Sequence, residues 1–162
     1  MVPVSVERQV DGKVGSVTWW VDDFLMMERK RYTEKIKVPA PMKWNRQMCN
    51  ARVFNELVYN TDPNLTNLLI TKDWTIWLVD FSRAFRTQTK IFNKKNLTRI
   101  DPEVLANLKK LDIATLNREL KSYLRDPEIK GLAARNAAIA QLFDEEIAKR
   151  GEDAVYLSLP ER

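Results

Sequence analysis

The sequence contains no histidine and only one cysteine, Cys49, among its 162 residues. Without histidine the chain cannot form a Cys-His dyad, a Ser-His-Asp triad or a histidine-rich zinc site. A single cysteine excludes an internal disulfide, and a free cysteine on a helix is typically packed as a small hydrophobic side chain. These absences exclude those classes of catalytic and metal site.

Long apolar runs and a strong charge of one sign are also lacking. No apolar run approaches the roughly 20 residues that cross a bilayer, and residues 1–10 lack the features of a signal peptide. We therefore expect a cytoplasmic protein without a membrane span. The net charge of +5 is moderate, with acidic residues between the basic clusters. This pattern favours a solvated helical face over nucleic-acid binding, although a basic helical interaction domain stays open as an alternative.

Glycine is scarce, and its few positions exclude a phosphate-binding loop. Gly12, Gly15, Gly131 and Gly151 do not form the run that cradles a phosphate between a strand and a helix. The length and the 44% hydrophobic content suit one hydrophobic core. We therefore expect a single domain over residues 1–162.

Three polar residues, Asp62, Asn67 and Asp80, occur in an order that suits phosphoryl transfer. Such a reaction needs one carboxylate that receives or orients the acceptor's proton, and oxygen ligands that hold the magnesium ion. The apolar pattern predicts strands over residues 67–71 and 74–79 with a turn between them, which would bring Asp80 back beside Asn67. Asn, Asp, Pro and Thr are also common turn formers, so a purely structural loop and turn remain the alternative.

The same residues lie in a longer motif that resembles a known superfamily. Asn60-Thr61-Asp62 is followed by Asn67-Leu68-Leu69-Ile70, and Val79-Asp80 is followed by Arg83-Ala84-Phe85. This arrangement resembles the kinase superfamily, and more closely the atypical branch with the type II phosphatidylinositol 4-kinases and related bacterial kinase-like proteins. The resemblance implies a kinase-like carboxyl-terminal lobe with short β-hairpins.

The resemblance also implies a role for each of five residues. Asp62 would be the catalytic-loop Asp, Asn67 the metal-binding Asn, and Asp80 the metal-binding Asp of the Asp-Phe-Gly motif. Leu69 and Val79 would line the floor under the adenine. The implied cofactors are ATP and Mg²⁺, and the second substrate would carry a hydroxyl group.

Several departures from the kinase pattern bear on turnover. Pro63 stands where this branch usually has Arg, Thr66 stands where many relatives have Gly, and Ser82 replaces the Gly of Asp-Phe-Gly. Kinases hold the ATP phosphates with a Gly-rich loop and a strand Lys paired to a helix Glu, and these precede the motif found here. We therefore expect an incomplete phosphotransferase that needs an amino-terminal lobe. The alternative is a non-catalytic nucleotide-binding or scaffold module.

The first part of the chain predicts an entry hairpin. Valines alternate with polar residues on both sides of Asp11-Gly12, as in two half-buried strands. Residues 1–22 would form this hairpin and a hinge-like segment, with Trp20–Asp23 near the adenine. Residues 23–162 would form a mainly helical lobe that contains the catalytic-loop-like hairpin at 60–80.

Helix signals account for most of this lobe. Residues 23–32 suggest a short helix, and apolar residues from Trp44 to Val58 recur at helical spacing. Helix-capping aspartates predict three further starts, at Asp101-Pro102, at Asp112 for a helix that runs to Leu124, and at Asp126-Pro127.

The last helix should end at Gly151, beyond which residues 155–157 form an apolar tail that would dock on the domain. Gly131 would mark a close helix contact or shift the start of that helix.

Overall fold

The computed structural model describes residues 1–157 of the chain. Of these, 46% are helical and 16% lie in strands, which confirms the predicted α+β, mostly helical fold class. The strands are β1 (Ser5–Val10), β2 (Lys13–Thr18), β3 (Phe24–Met27), β4 (Leu68–Thr71) and β5 (Ile76–Leu78). The α-helices are α1 (Glu28–Thr33), α2 (Pro41–Leu57), α3 (Pro102–Lys110), α4 (Ile113–Leu120), α5 (Asp126–Arg150) and α6 (Glu152–Val155). None of these helices combines the length and the apolar character that crossing a membrane requires.

The chain divides into two compact units. The first unit contains Met1–Pro39 and Asn64–Asp80, and the second contains Ala40–Pro63 and the chain from Phe81 onward. Residues 23–39 and 64–80 thus fall in the same unit as the entry hairpin. The single-domain expectation stays a prediction.

The predicted entry hairpin is present in the first unit, but its strands are not half-buried. β1 and β2 pair antiparallel from Ser5 with Thr18 to Val10 with Lys13. The turn residues Asp11 and Gly12 have φ values of 49° and 77°, the backbone that a tight two-residue hairpin turn requires. Every residue of both strands is exposed. The expectation of a buried face is wrong because these two strands pack extensively only against each other.

The second sheet of the first unit has the order β3-β4-β5 and is antiparallel throughout. The predicted hairpin over residues 67–79 is confirmed as β4 and β5, in which Leu68 pairs with Leu78 and Ile70 with Ile76. The helix expected from residue 23 is wrong in its first part because residues 24–27 pair with β4 as a strand, through Met26 and Ile70. Sheet pairing overrides the helix propensity of Leu and Met here. The helix α1 follows directly after this strand.

The core of the second unit lies between helices. The predicted amphipathic helix is confirmed as α2, which begins at Pro41 and ends at Leu57. Cys49 is buried on this helix, as expected. A cluster of eight buried apolar side chains joins α2, α3, α5, α6 and the segment before α3: Val53, Leu97, Ile100, Leu105, Leu108, Ile139, Phe143 and Val155.

Helix caps in the second unit follow the sequence signals with two differences. Asp101 and Asp112 cap α3 and α4 by accepting backbone N–H groups, as predicted. However, α4 ends at Leu120 rather than Leu124, because the N–H groups of Tyr123 and Leu124 both bond the Leu120 carbonyl and close a turn.

The other difference concerns α5, which begins at Asp126. This residue therefore lies inside the first turn, and the Arg125 N–H donates to the Glu128 carboxylate across that turn.

The end of the described chain docks on the second unit as predicted. Gly151 ends α5 with φ 81°. Ile100 donates its N–H to the Val155 carbonyl, and Leu157 donates its N–H to the Ile100 carbonyl. The close contact proposed for Gly131 is also present, since a Cβ there would lie 2.9 Å from the Thr87 carbonyl oxygen.

Candidate functional site

Asn67 and Asp80 flank the β4–β5 hairpin of the first unit. Asn67 directly precedes β4, and Asp80 is the second residue after β5. The Val79 N–H donates to the Asn67 carbonyl at 3.0 Å, which extends the ladder of the hairpin by one pair. The predicted return of Asp80 to the neighbourhood of Asn67 is therefore confirmed. Metal binding by the two side chains stays a prediction.

The backbone of Asp80 is left-handed, with φ 58°. A residue other than glycine adopts this conformation at a cost, although Asp and Asn tolerate it better than most. Such strained residues concentrate at functional sites, where the surrounding bonds hold them in place. At Asp80 the strained backbone ends the alternation of side chains between the two faces of the hairpin. The side chain of Asp80 is exposed.

Leu69 and Val79, the residues expected under the adenine, belong to one face of the hairpin. Side chains alternate across a strand, so Asn67 and Leu69 share a face with their cross-strand partners Val79 and Trp77. These four residues are partly buried. The opposite face consists of fully buried core residues: Leu68, Ile70, Ile76 and Leu78. The hairpin thus presents a partly covered apolar face with an amide at one end.

A cleft of about 420 Å³ lies elsewhere in the first unit. Its lining includes Trp19 and the predicted hinge-like segment from Trp20 to Asp23, together with Trp77 and the turn after β4. Leu69 and Val79 are not among its lining residues. The structure therefore brings the hinge-like segment to the turn end of the hairpin, away from the end that carries Asn67.

Asp62 belongs to the second unit, on the loop that follows α2. This loop turns sharply at Tyr59, whose φ is 52°. Asn60 is buried and bonds Asn55 twice, from its backbone N–H to the carbonyl at 2.8 Å and between the side chains at 2.9 Å. The Asn60 side-chain oxygen then accepts the Asp62 N–H at 3.0 Å. A buried amide network therefore places Asp62, whose side chain is 37% exposed.

Arg83 lies against Asp62 in the second unit, a contact that the sequence did not predict. Its guanidinium Nη1 is 3.7 Å from the Asp62 carboxylate, and its side chain is 63% exposed. The Thr61 N–H donates to the Arg83 carbonyl at 3.4 Å, and the Phe85 N–H donates to the Val58 carbonyl at 2.6 Å. The Arg-Ala-Phe segment thus runs beside the Asp62 loop. In the kinase branch that the motif resembles, an Arg usually stands at the position of Pro63, and its absence here is a sequence signal for a cation from another segment.

The donor atoms of Asn67 and Asp80 suit magnesium. The amide and carboxylate oxygens are hard ligands, and Mg²⁺ is usually held by one or two carboxylates, with phosphate oxygens and water completing its shell. Within residues 1–157 no group of three or more Cys, Asp or Glu side chains is placed to hold a metal ion. Two oxygen donors match the small number of protein ligands that Mg²⁺ usually has, and metal binding by this pair stays a prediction.

Comparisons with family models, with curated proteins and with solved structures find nothing that matches this chain. The kinase resemblance accordingly rests on the motif residues Asp62, Asn67 and Asp80 and their neighbours, and it continues as a hypothesis.

Proposed function

We propose that this chain is a kinase-like phosphotransferase domain that binds a magnesium nucleotide through Asn67 and Asp80. The observation that supports this most is the β4–β5 hairpin. The bond from the Val79 N–H to the Asn67 carbonyl places the side-chain amide of Asn67 at the end of a partly exposed apolar face. Asp80, whose backbone is strained, directly follows Val79. Apolar surface with a few placed polar groups is typical of cofactor sites.

The proposed chemistry assigns one task to each residue. Asn67 and Asp80 would hold Mg²⁺, and the ion would supply positive charge against the phosphates of the nucleotide. Asp62 accepts the proton of the acceptor hydroxyl while that hydroxyl oxygen bonds the γ-phosphorus. The bond from the γ-phosphorus to the bridging oxygen breaks, and this oxygen leaves on the nucleoside diphosphate. Leu69 and Val79 support the adenine ring through their shared apolar face.

The proposed phosphotransferase also requires phosphate contacts beyond this set. Gly12 lies in a hairpin turn, Gly15 within β2, Gly131 inside α5 and Gly151 at its end, so none of the four begins a helix after a strand as a phosphate loop does. An amino-terminal lobe is the proposed partner that supplies these contacts. The acceptor is proposed only as a hydroxyl compound.

A second candidate is a nucleotide-binding module without transfer. Pro63, Thr66 and Ser82 depart from the kinase pattern on the acceptor side and beside the metal ligand, and these changes favour it. It differs from the first candidate in one respect, because it predicts magnesium-dependent binding without any loss of γ-phosphate.

Substitution of the proposed base tests the transfer function. With γ-labelled ATP and Mg²⁺, Asp62→Asn should lower phosphate transfer to water or to an added alcohol by about 100-fold or more, as loss of a general base does. Nucleotide binding should change little, because Asn67 and Asp80 are intact. Asp153→Asn, a change at another exposed aspartate, is the matched control and should keep the wild-type rate. Measurable transfer at equal rates by Asp62→Asn and wild type would contradict the assignment, whereas binding without transfer by either is the result expected of the second candidate.

A further inference from the structure

Arg135 is a fully buried arginine on α5 that makes its hydrogen bonds to backbone carbonyls. Its Nε donates to the Leu57 carbonyl at 2.8 Å, and its Nη1 donates to the carbonyls of Arg86, at 3.0 Å, and Gln88. The guanidinium carbon lies 5.4 Å from the centre of the Tyr59 ring. Burial lowers its pKa to about 10, so the side chain stays charged at neutral pH.

The three carbonyls belong to the two arms of one loop structure in the second unit. Leu57 ends α2, immediately before the loop that carries Asp62. Arg86 and Gln88 follow the Arg-Ala-Phe segment. Between these ends, the arms are joined by the bonds from the Phe85 N–H to the Val58 carbonyl and from the Thr61 N–H to the Arg83 carbonyl.

Asp62 and Arg83 stand at the other end of these arms, where their side chains are 3.7 Å apart. The guanidinium of Arg135 therefore links the two arms at one end, and the proposed catalytic carboxylate of Asp62 lies at the other end.

The surface of α5 is shaped to accept one of these arms. Gly131 lies one turn before Arg135, and a Cβ at this position would come 2.9 Å from the Thr87 carbonyl oxygen. The same Cβ would lie 3.0 Å from Nη1 of Arg135. Real Cβ atoms essentially never approach backbone at the first distance, so a larger residue would displace the arm. Glycine and arginine thus act on the same stretch of chain from one helix face.

A contribution to stability alone does not explain why the buried residue at position 135 of α5 is a charged arginine. No salt bridge joins Arg135 to a carboxylate within the part of the chain that the structure describes. Its Nη2 lacks a hydrogen-bond partner among the same residues. Burying a charge without a counter-charge is unfavourable, and an apolar side chain of similar volume often gives a more stable protein. What an apolar side chain cannot do is bind three carbonyls from two separate arms.

We propose that Arg135 is a positioning residue for Asp62, which it acts on by fixing both arms of the loop. This inference rests on the proposed function only for its effect on transfer. The effect on the loop itself follows from the hydrogen bonds and is independent of any activity.

The test compares Arg135→Met, which removes the donors and keeps a long side chain, with Arg135→Lys, which keeps the charge. Amide hydrogen exchange is measured on the full chain by NMR. In Arg135→Met the amides of Thr61 and Phe85 should exchange at least about tenfold faster, whereas amides of β4 should be unchanged, since opening is local. Arg135→Lys should recover part of the protection. Arg118→Met, at an exposed position of α4, is the matched control.

Transfer kinetics supply the readout that a purely structural role would not move. In Arg135→Met, kcat for transfer from ATP to water should fall by roughly 100-fold, as expected for a misplaced catalytic group. The KM for magnesium ATP should stay within about twofold, because Asn67 and Asp80 are unaffected. Loss through KM at unchanged kcat would overturn the inference.

The two proposals fail in different ways. A wild-type chain without nucleotide binding or transfer contradicts the proposed function, and the exchange measurement then still decides the role of Arg135. Unchanged exchange at Thr61 and Phe85 in Arg135→Met overturns the positioning role. If that variant does not fold, Gly131→Ala replaces it, because the added Cβ should loosen the same two amides while α5 keeps its helical content.

Discussion

At the scale of single residues, each of the two units has strained backbone at or near a predicted site residue. Tyr59 and Asp80 both adopt left-handed backbone, with φ values of 52° and 58°. Each such residue costs roughly 1–3 kcal/mol and persists only where neighbouring bonds hold it. The bonds are present at both positions: Asn60 donates to the Asn55 carbonyl after Tyr59, and Val79 donates to the Asn67 carbonyl before Asp80. Left-handed backbone also occurs at Asp11, Asp23, Lys35, Trp74 and Phe85, so the strain alone does not distinguish the predicted site residues.

Cys49 provides a residue-scale prediction about the core. Burial raises the pKa of its thiol, an effect that Arg52 and Arg99 partly oppose. The thiolate is the reactive form, so an aromatic disulfide reagent at pH 8 should label the native protein at least about tenfold more slowly than the denatured protein. Because the folded pKa lies above the unfolded one, this group should also lower the free energy of unfolding as the pH rises past the unfolded pKa. Labelling at equal rates in the two states would contradict the burial.

At the scale of elements, the starts of helices depend on a few buried polar contacts. Asp101 is 2% exposed and accepts the Glu103 N–H at 3.0 Å as the cap of α3. The same carboxylate accepts a hydrogen bond from Nε of Arg46 on α2. One side chain therefore both begins α3 and connects it to a second helix of the same unit.

Removal of this carboxylate gives an element-scale prediction. Asp101→Ala should lower the free energy of unfolding by about 2 kcal/mol, because it removes a helix cap and leaves Arg46 without its partner. Asp101→Asn should cost less, since the amide oxygen can still cap the helix. Urea unfolding followed by circular dichroism measures both changes. An Asp101→Ala variant as stable as the wild type would show that the cap and ion pair contribute nothing.

The elements also show what one sequence can predict and why. The hairpin turn at Asp11-Gly12, the caps at Asp101 and Asp112 and the stop at Gly151 depend on neighbouring residues, so local sequence determines them. The strand β3 was not predictable in this way, because its conformation follows from pairing with residues more than 40 positions away. The exposure of β1 and β2 likewise depends on distant packing, because no segment within residues 1–157 buries a face of these strands.

The candidate site shows the same division between local and distant information. The resemblance of the motif around Asp62, Asn67 and Asp80 to kinases implied their roles, and the apolar pattern of residues 67–79 predicted the hairpin. The contact between Arg83 and Asp62 depends on how two separate segments lie, and the sequence did not predict it. Arg135 was also missed, although a signal was present: it lies at helical spacing with the buried residues Leu132 and Ile139, where an arginine is unusual.

At the scale of the whole molecule, the net charge of +5 leaves a basic interaction domain as the competing account. The charges of both signs are dispersed, with exposed pairs such as Lys109 with Asp144 and Arg150 with Glu146. A nucleic-acid or polyanion partner would bind through net charge, so its affinity would fall steeply with salt and ignore Asp62 and Asp80. A magnesium nucleotide would instead depend on one carboxylate.

Titration of ATP by calorimetry, with and without Mg²⁺, on the wild-type chain and on Asp80→Asn separates these accounts most directly. We expect binding that requires Mg²⁺ in the wild type and weakens by at least about tenfold in Asp80→Asn, a loss of 1.4 kcal/mol or more. Asp153→Asn should bind as the wild type does. Equal affinity in wild type and Asp80→Asn, or no magnesium-dependent binding in either, would contradict the proposed nucleotide site.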